Sequence, residues 1–575
     1  MELTESQLAA VRSDAPRTLC VAGAGAGKTA VLAHRVMHLL TDRGCSACDI
    51  LMVTFTRKAA AEMRERIELV TREAVGNEAE KMLRGLTLGT FHSVALSVVR
   101  AEGERLNMDP ATLTVLDRED SDELLKQCCR EAGLYDGKKW KKGVSWKKVK
   151  ERGPNTAAIY SAYLSRLKES NALDYGGIIT TANTLLLDLE VAKRWQGCFK
   201  HILIDELQDC DTDQHTFCER IAGDAEFFAV GDLRQRIYGW RGAGGGKIEG
   251  DEHGRHYDLS ESFRCADAIL AAANSLAQSM PRKALPPMTG CSGVNGKVEV
   301  MVGRSSEIAA AVKLLHKKSG YAWREIAVLY RTNWQGVRLA GIFREVDIPL
   351  HRVGSAFDKC ETERFRAMHA ALRLVVNVRD DAAFLRLSDA LGWDAAHCAR
   401  NRAKAARDGC SHFQAAPDDM TVTAAIHELS PQDLIQTAVA QLWSPLGCGV
   451  DPAVWWRAQA GDMTIEDALR WFAGRDSQDD LTTEDEVTLS TIHSAKGLEW
   501  PAVIIPNCNE GSLPSSTATR KLTVDEERRV MYVAMTRAKE RLILHYRRPE
   551  DLAEGSKPTP PSRFLYEAGL LEMES

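Results

Sequence analysis

The chain has 575 residues, 44% hydrophobic and 27% charged, so it carries apolar material for several cores and is neither one small module nor a disordered polyelectrolyte. Lysine and arginine number 74 against 80 acids, a net charge of −6, which excludes a histone-like polycation and requires any nucleic-acid contact to be local. The 15 cysteines lack the dense spacing of a secreted disulfide scaffold, the start MELTESQ lacks the basic segment and apolar run expected of a leader, and no apolar stretch reaches the ~18 residues needed to cross a bilayer. These features predict a protein of the reducing cytoplasm with no membrane association.

In chain order, Arg17–Ala22 is the first predicted strand, and a glycine-rich loop and a helix with Leu32, Val36, Leu39 and Leu40 on one face follow it. The loop spells AGAGAGKT over Ala22, Gly23, Ala24, Gly25, Ala26, Gly27, Lys28 and Thr29, a phosphate-loop pattern with alanine in its first position. Small residues let backbone N–H groups curl around phosphates, and the helix that starts here points its positive end at them. Lys28 then neutralises the β and γ phosphates, and Thr29 holds Mg2+. Cys45 and Cys48 form a C-x-x-C with no second ligand pair nearby and read as a loop carrying two thiols, in preference to a zinc or redox site.

The next predicted strands are Ile50–Thr54, 201–205 and 227–231, apolar runs of the kind that parallel sheets bury on both faces. In ILIDELQD, residues 202–209, the strand ends in consecutive acids at the carboxyl edge of the sheet, where Asp205 suits Mg2+ and Glu206 suits the base that orients the attacking water. A second set, Ile326–Tyr330, 487–492, 502–506 and 542–545, predicts another parallel sheet. Residues of about 93–188 and 376–484 show helical periodicity and read as insertions, and the loosest stretches are 242–246, 476–485 and 555–561. In the first insertion KKWKKGVSWKKVK, residues 138–150, packs seven lysines around Trp140 and Trp146; it is either a grip on nucleic-acid phosphates or a solvated face whose tryptophans point inward.

Further segments follow in order: LTESQLAAV (3–11), VTFTRKAAAEM (53–63), GTFHSVA (89–95), GDLRQRIYGWRGA (231–243), SFRCADAIL (262–270), STIHSAKGLEW (490–500) and EERRVMYVAMTRAK (526–539). Together with the phosphate loop they resemble the UvrD/Rep/PcrA-like superfamily 1A DNA helicases over nearly the whole chain. The resemblance implies an α/β fold of two RecA-like P-loop NTPase domains, 1–92 with 189–262 and 263–375 with 485–575, interrupted by helical insertions 93–188 and 376–484.

By the same resemblance, Gln7 reads the adenine edge, Phe263 stacks on adenine with Arg35 opposite, and Gly497 and Glu499 touch the nucleotide from the second domain. Gln235 senses the γ phosphate, and Arg264 and Arg537 reach across as arginine fingers, completing a catalytic set with Lys28, Asp205 and Glu206. Single-stranded DNA would stack on Phe55, Tyr238 and Trp240 and have its phosphates held by Thr54, His92, Arg241, Thr491 and His493.

The function implied is ATP- and Mg2+-dependent 3′-to-5′ translocation on single-stranded DNA and unwinding at single-strand/duplex junctions by a monomer or weak dimer. Two rivals stay open: a translocase that strips proteins from single strands without unwinding, and a nucleotide-gated DNA-binding assembly subunit. Leu233 and Arg234 stand where the family is often acidic, a change expected to alter charge near DNA. The second insertion is shorter than in large family members, no extended partner-binding tail is expected beyond PSRF at 561–564, and a strand-separating hairpin is expected near Tyr546.

Overall fold

The computed structural model describes residues 3–135, 139–141, 149, 156–239, 254–280, 286–353, 363–393, 395–416, 421–443, 446, 462–473, 484–516, 521–551 and 559–572. The chain forms two compact units. One contains Met1–Phe91, Ala192–Ser355 and Asp476–Ser575, and the other His92–Val191 and Ala356–Arg475. No helix among the described residues is long and apolar enough to cross a membrane.

The first unit is built on two six-stranded, wholly parallel sheets. The first sheet comprises β1 (Arg17–Ala22), β2 (Ile50–Thr54), β3 (Thr87–Thr90), β4 (His201–Ile204), β5 (Glu226–Gly231) and β6 (Arg255–Leu259) in the order β3-β2-β4-β5-β1-β6. The second comprises β7 (Lys297–Val302), β8 (Ile326–Tyr330), β9 (Leu350–Arg352), β10 (Val487–Thr491), β11 (Trp500–Ile505) and β12 (Ala538–Tyr546) in the order β7-β12-β11-β8-β10-β9. Register runs Cys20 with Val230 and Tyr257 in the first sheet, and Val328 with Leu489 and Ile504 in the second.

Parallel strands need long crossovers, which place helices on the sheet faces, so inner strands are buried on both sides. All five residues of β2 and of β8 are buried. One continuous core joins Leu32, Val36 and Phe228 around the first sheet to Val503, Tyr532 and Leu542 around the second.

The predicted inner strands are observed to within a few residues at their ends. The four strands that sequence patterning did not reveal, β3, β6, β7 and β9, are the outermost strands of the two sheets. An edge strand is covered less completely, so it mixes polar residues into its run and loses the apolar signature. In β6 four of five residues retain solvent contact.

The second unit is mainly helical. Arg118–Glu131 and Ala157–Glu169 pack around Leu124, Ile159 and Tyr163, beside a short parallel pair, Thr114–Leu116 with Ala172–Asp174. Glu363–Val376, Asp381–Ala390 and Ile435–Trp443 enclose Phe365, Phe384, Val439 and Leu442. Asp120, 1% exposed, sits between Arg373 and Arg386, and Arg373 also holds Asp380 at 2.6 Å, so this buried carboxylate is compensated by two guanidinium groups.

Of the lysine-rich segment, the described residues include Trp140, which stacks on Tyr135 at 4.5 Å; Trp146 lies outside them. After β12 the chain makes a short turn at Pro549–Asp551 where the hairpin was expected.

Candidate active site

The loop after β1 is shaped by two glycines with left-handed backbone, Gly25 and Gly27, each at φ 74°. A Cβ on Gly25 would stand 2.5 Å from Arg264 Cβ, and one on Gly27 would stand 2.7 Å from Gln7 Nε2, so neither position accepts a side chain without displacement. Gly27 caps the helix Lys28–Thr41, whose first-turn N–H groups face a cavity of about 350 Å³. Lys28 and Thr29 line it, as do Gly25, Ala26 and Gly27. This volume falls in the usual range for a small-molecule site.

On the same wall β4 ends and the chain turns sharply. Asp205 N donates to Val53 O at 3.0 Å, and Glu206 adopts φ 51°, a conformation costly for a side chain with a Cβ and one that clusters at functional sites. The turn points both acids at the cavity. Burial first, and the neighbouring Glu206 charge second, push Asp205 well above the ordinary carboxylate range. Burial also disfavours the Glu206 charge, but Lys28, Lys496, the Gln208 amide and Arg537 outweigh it, so Glu206 stays an ionised acceptor. Gln208 Nε2 donates to Glu206, and its Oε1 accepts from Asp232 N at 2.9 Å, which fixes the carboxylate from behind.

The opposite wall comes from the second sheet. Arg537, 1% exposed, is anchored by donations from Nε to Val533 O at 3.0 Å and from Nη1 to Leu498 O at 3.1 Å. Its Nη2 donates to Gln235 Oε1 at 3.1 Å, while Gln235 Nε2 donates to Asp232 at 2.8 Å. Arg264 and Lys539 both pair with Glu499, and these two cations hold its pKa below the ordinary value against its own burial, so it stays ionised. Lys496 pairs with buried Asp209, donates to Gln235 O at 2.9 Å and lies 5.4 Å over the Tyr238 ring. Burial pushes Asp209 up to about 6, with Lys496 opposing.

Asp205, Glu206, Gln235, Phe263, Arg264, Gly497, Glu499 and Arg537 therefore share one cavity with the phosphate loop. Ala22, Gly23 and Ala24 are buried behind it. Gln7 is committed to the loop: Nε2 donates to Ala26 O at 3.0 Å and Oε1 accepts from Thr4 N at 3.0 Å.

Arg35 is a correction. It is 2% exposed, donates to Val11 O and Ser13 O at 2.7 Å each, and lies over Phe228. It does not line the cavity, because seven residues of helix carry it about 10 Å along the axis from Lys28. Arg234 is also turned inward, donating to Pro286 O at 2.9 Å, so it adds no exposed charge.

Among the residues expected at DNA, Phe55 and Tyr238 stack at 5.6 Å with ring planes 12° apart. Tyr238 Oη donates to His493 O at 3.2 Å. Thr54 is buried and donates to Thr56 O at 3.0 Å, and Thr491 Oγ1 is 3.0 Å from Ser494 Oγ. His92 belongs to the second unit, where it stacks on Tyr175 at 3.7 Å. Burial lowers its pKa to about 4, so it offers a neutral ring rather than positive charge. Trp240 and Arg241 lie outside the described residues.

Lys496, Asp209 and Gln208 are site residues that motif reading did not assign a role. All three stand inside quoted motifs, but the Lys496–Asp209 pairing spans 287 positions, which no local pattern carries. Thr29 and Asp205 offer hard oxygen donors on one cavity wall, a set that suits Mg2+. Among the described residues no group of three or more His, Cys, Asp or Glu is placed to hold a metal by itself.

A family model described as the UvrD/REP helicase N-terminal domain matches residues 3–253, and one described as the UvrD-like helicase C-terminal domain matches 257–398 and 465–549. The chain is similar to the ATP-dependent DNA helicase PcrA of Staphylococcus aureus, at 28% identity over 100% of this chain and 87% of that protein. It is similar to DNA helicase II of Escherichia coli, at 28% identity over 98% of this chain and 87% of that protein.

Proposed function

Because the chain belongs to the UvrD/Rep helicase family, we propose that it is an ATP-dependent DNA motor that travels 3′-to-5′ on single strands and opens duplexes at junctions. One observation carries this reading: Lys28 and Glu206 from the first sheet and Arg537 from the second face the same cavity, with Arg537 already bonded to Gln235. A nucleotide in that cavity is gripped from both sheets, so gaining and losing its terminal phosphate changes how the two are held together. The names of the relatives, ATP-dependent DNA helicase and DNA helicase, support the same choice of nucleotide and track.

In this scheme Lys28 pairs with the β and γ phosphates, Glu206 orients the attacking water, Gln235 senses the γ phosphate, and Arg264 and Arg537 neutralise charge that develops in the transition state. Arg264 must first release Glu499. Thr29 and Asp205 would hold Mg2+, which when bound neutralises phosphate charge; its proximity would also favour the ionised form of Asp205. Phe55 and Tyr238 supply a stacking face that tolerates any base. The working parts are 1–92 with 189–262, 263–375 with 485–575, and the insertions 93–188 and 376–484. The free thiols among the described cysteines suit the cytoplasm.

A strand-displacement assay on 3′-tailed, 5′-tailed and blunt duplexes tests the proposal, with Lys28→Ala as control. ATP-dependent opening of the 3′-tailed substrate alone is expected. Opening of the 5′-tailed substrate alone would reverse the polarity, and clearance of a protein-blocked single strand without duplex opening would favour the protein-stripping translocase.

A further inference from the structure

At the amino edge of the first sheet, the end away from the nucleotide cavity, Cys45, His201 and Glu226 stand in a row. His201 opens β4 and Glu226 opens β5, so adjacent parallel strands present the imidazole and the carboxylate side by side. Cys45 is brought to them by the end of the helix Lys28–Thr41. Gly44 turns at φ 62°, and Cys45 N donates back to Leu39 O at 2.9 Å. Cys45 Sγ then lies 3.2 Å from His201 Nε2, and His201 Nδ1 lies 3.3 Å from Glu226 Oε2. His201 is only 5% exposed, and its Nδ1 has no hydrogen-bond partner.

We propose that Cys45 is a modification site, a partly exposed thiol activated by His201 that exchanges with low-molecular-weight disulfides. The Cys45 S–H proton passes to His201 Nε2, and the thiolate attacks one sulfur of the disulfide. That S–S bond breaks, the leaving thiolate takes a proton from the imidazolium, and the products are a Cys45 mixed disulfide and one free thiol.

The charged neighbours act on this proton in both directions. Arg43 holds Glu226 through two 2.7 Å bonds and brings positive charge beside the thiol, and Arg35 reaches Glu226 at 3.4 Å. Glu226 stabilises the imidazolium, whereas burial first, and then Arg43 and Arg35, hold His201 below its ordinary value and favour return of the proton. Asp14 offsets part of the arginine charge.

Core thiols behave differently: burial pushes Cys20 and Cys508 each to about 12, which keeps them protonated and inert. A metal is not the better occupant, because Cys45 and Glu226 meet opposite nitrogens of the His201 ring and the three do not converge on one point. Cys48, three residues on and exposed, is the internal control.

The experiment uses the full chain in its native state, treated with glutathione disulfide for adduct mapping and with iodoacetamide for rates, both read by peptide mass spectrometry. At pH 7 Cys45 is expected to react at least tenfold faster than exposed Cys48, Cys198 and Cys291. His201→Gln should bring Cys45 down to the Cys48 rate, and Glu226→Gln should slow it severalfold. If His201→Gln or Glu226→Gln does not fold, the wild-type comparison of Cys45 with Cys48 decides. A Cys45 that reacts no faster than Cys48, or a folded His201→Gln protein with an unchanged Cys45 rate, would overturn the proposal.

Discussion

Arg537 donates to Gln235 across 3.1 Å, although the two residues are 302 positions apart and belong to different sheets. The bond makes Gln235 a joint between the halves of the cavity, since its other amide atom is tied to Asp232. Residues that act through one contact are not additive, so a double-mutant cycle of Gln235→Ala and Arg537→Ala on ATP turnover should give a coupling energy of about 0.5–3 kcal/mol. Strict additivity would mean that the bond has no part in turnover.

Glu206 is the ionised acceptor beside Lys28, held in place by Gln208. Removing a positioned base typically costs ~10²–10⁴ in rate. Glu206→Gln should therefore lower DNA-stimulated phosphate release by ~100-fold or more, and Lys28→Ala should abolish it, while circular dichroism stays that of the parent. Near-normal phosphate release in both variants would displace chemistry from this cavity.

The Lys496–Asp209 pair is buried on both sides, at 6% and 3% exposure. Removing one partner of such a pair strands a charge and costs ~3–5 kcal/mol. Lys496→Met should lower the denaturant midpoint strongly, and adding Asp209→Asn should restore most of the loss. Equal stability of the single and double variants would show that the charge is not stranded.

Asp205 carries a pH signature. Its folded pKa is raised above the ordinary 3.8 by burial and by Glu206, so its contribution to stability is fully present below the unfolded value and is lost as pH rises through the folded one. Asp205→Asn should thus melt higher than the parent at pH 8, with the advantage shrinking toward pH 4, while ATP hydrolysis fails. A lower melting temperature at pH 8 would mean that the carboxylate is not under strain.

Phe55 and Tyr238 present a stacked pair at 5.6 Å. Base stacking on an aromatic ring is worth ~1–3 kcal/mol, so Phe55→Ala should weaken single-stranded DNA binding by roughly 5- to 150-fold in fluorescence anisotropy, with little dependence on sequence. Unchanged affinity would remove Phe55 from the track.

Much of this protein is written locally. The strand, the small residues around Gly25 and Gly27, and the helix carrying Lys28 are contiguous, so backbone conformation and helix dipole follow from neighbours in the chain. The same holds for Asp205 and Glu206 at the end of an apolar strand, and for inner strands whose burial on both faces leaves an unbroken apolar run. Edge strands such as β6 escaped because one open side relaxes that demand.

What only packing decided is where long side chains end. Arg35 has the right charge on the right helix, yet carbonyls of Val11 and Ser13 draw its guanidinium away from the cavity. Cys45 finds His201 because crossovers between parallel strands return distant segments to the same sheet edge, and Lys496 finds Asp209 because the two sheets face one cavity. Periodicity and turn chemistry act over a few residues, whereas which charges share a low-dielectric pocket depends on contacts between residues hundreds of positions apart.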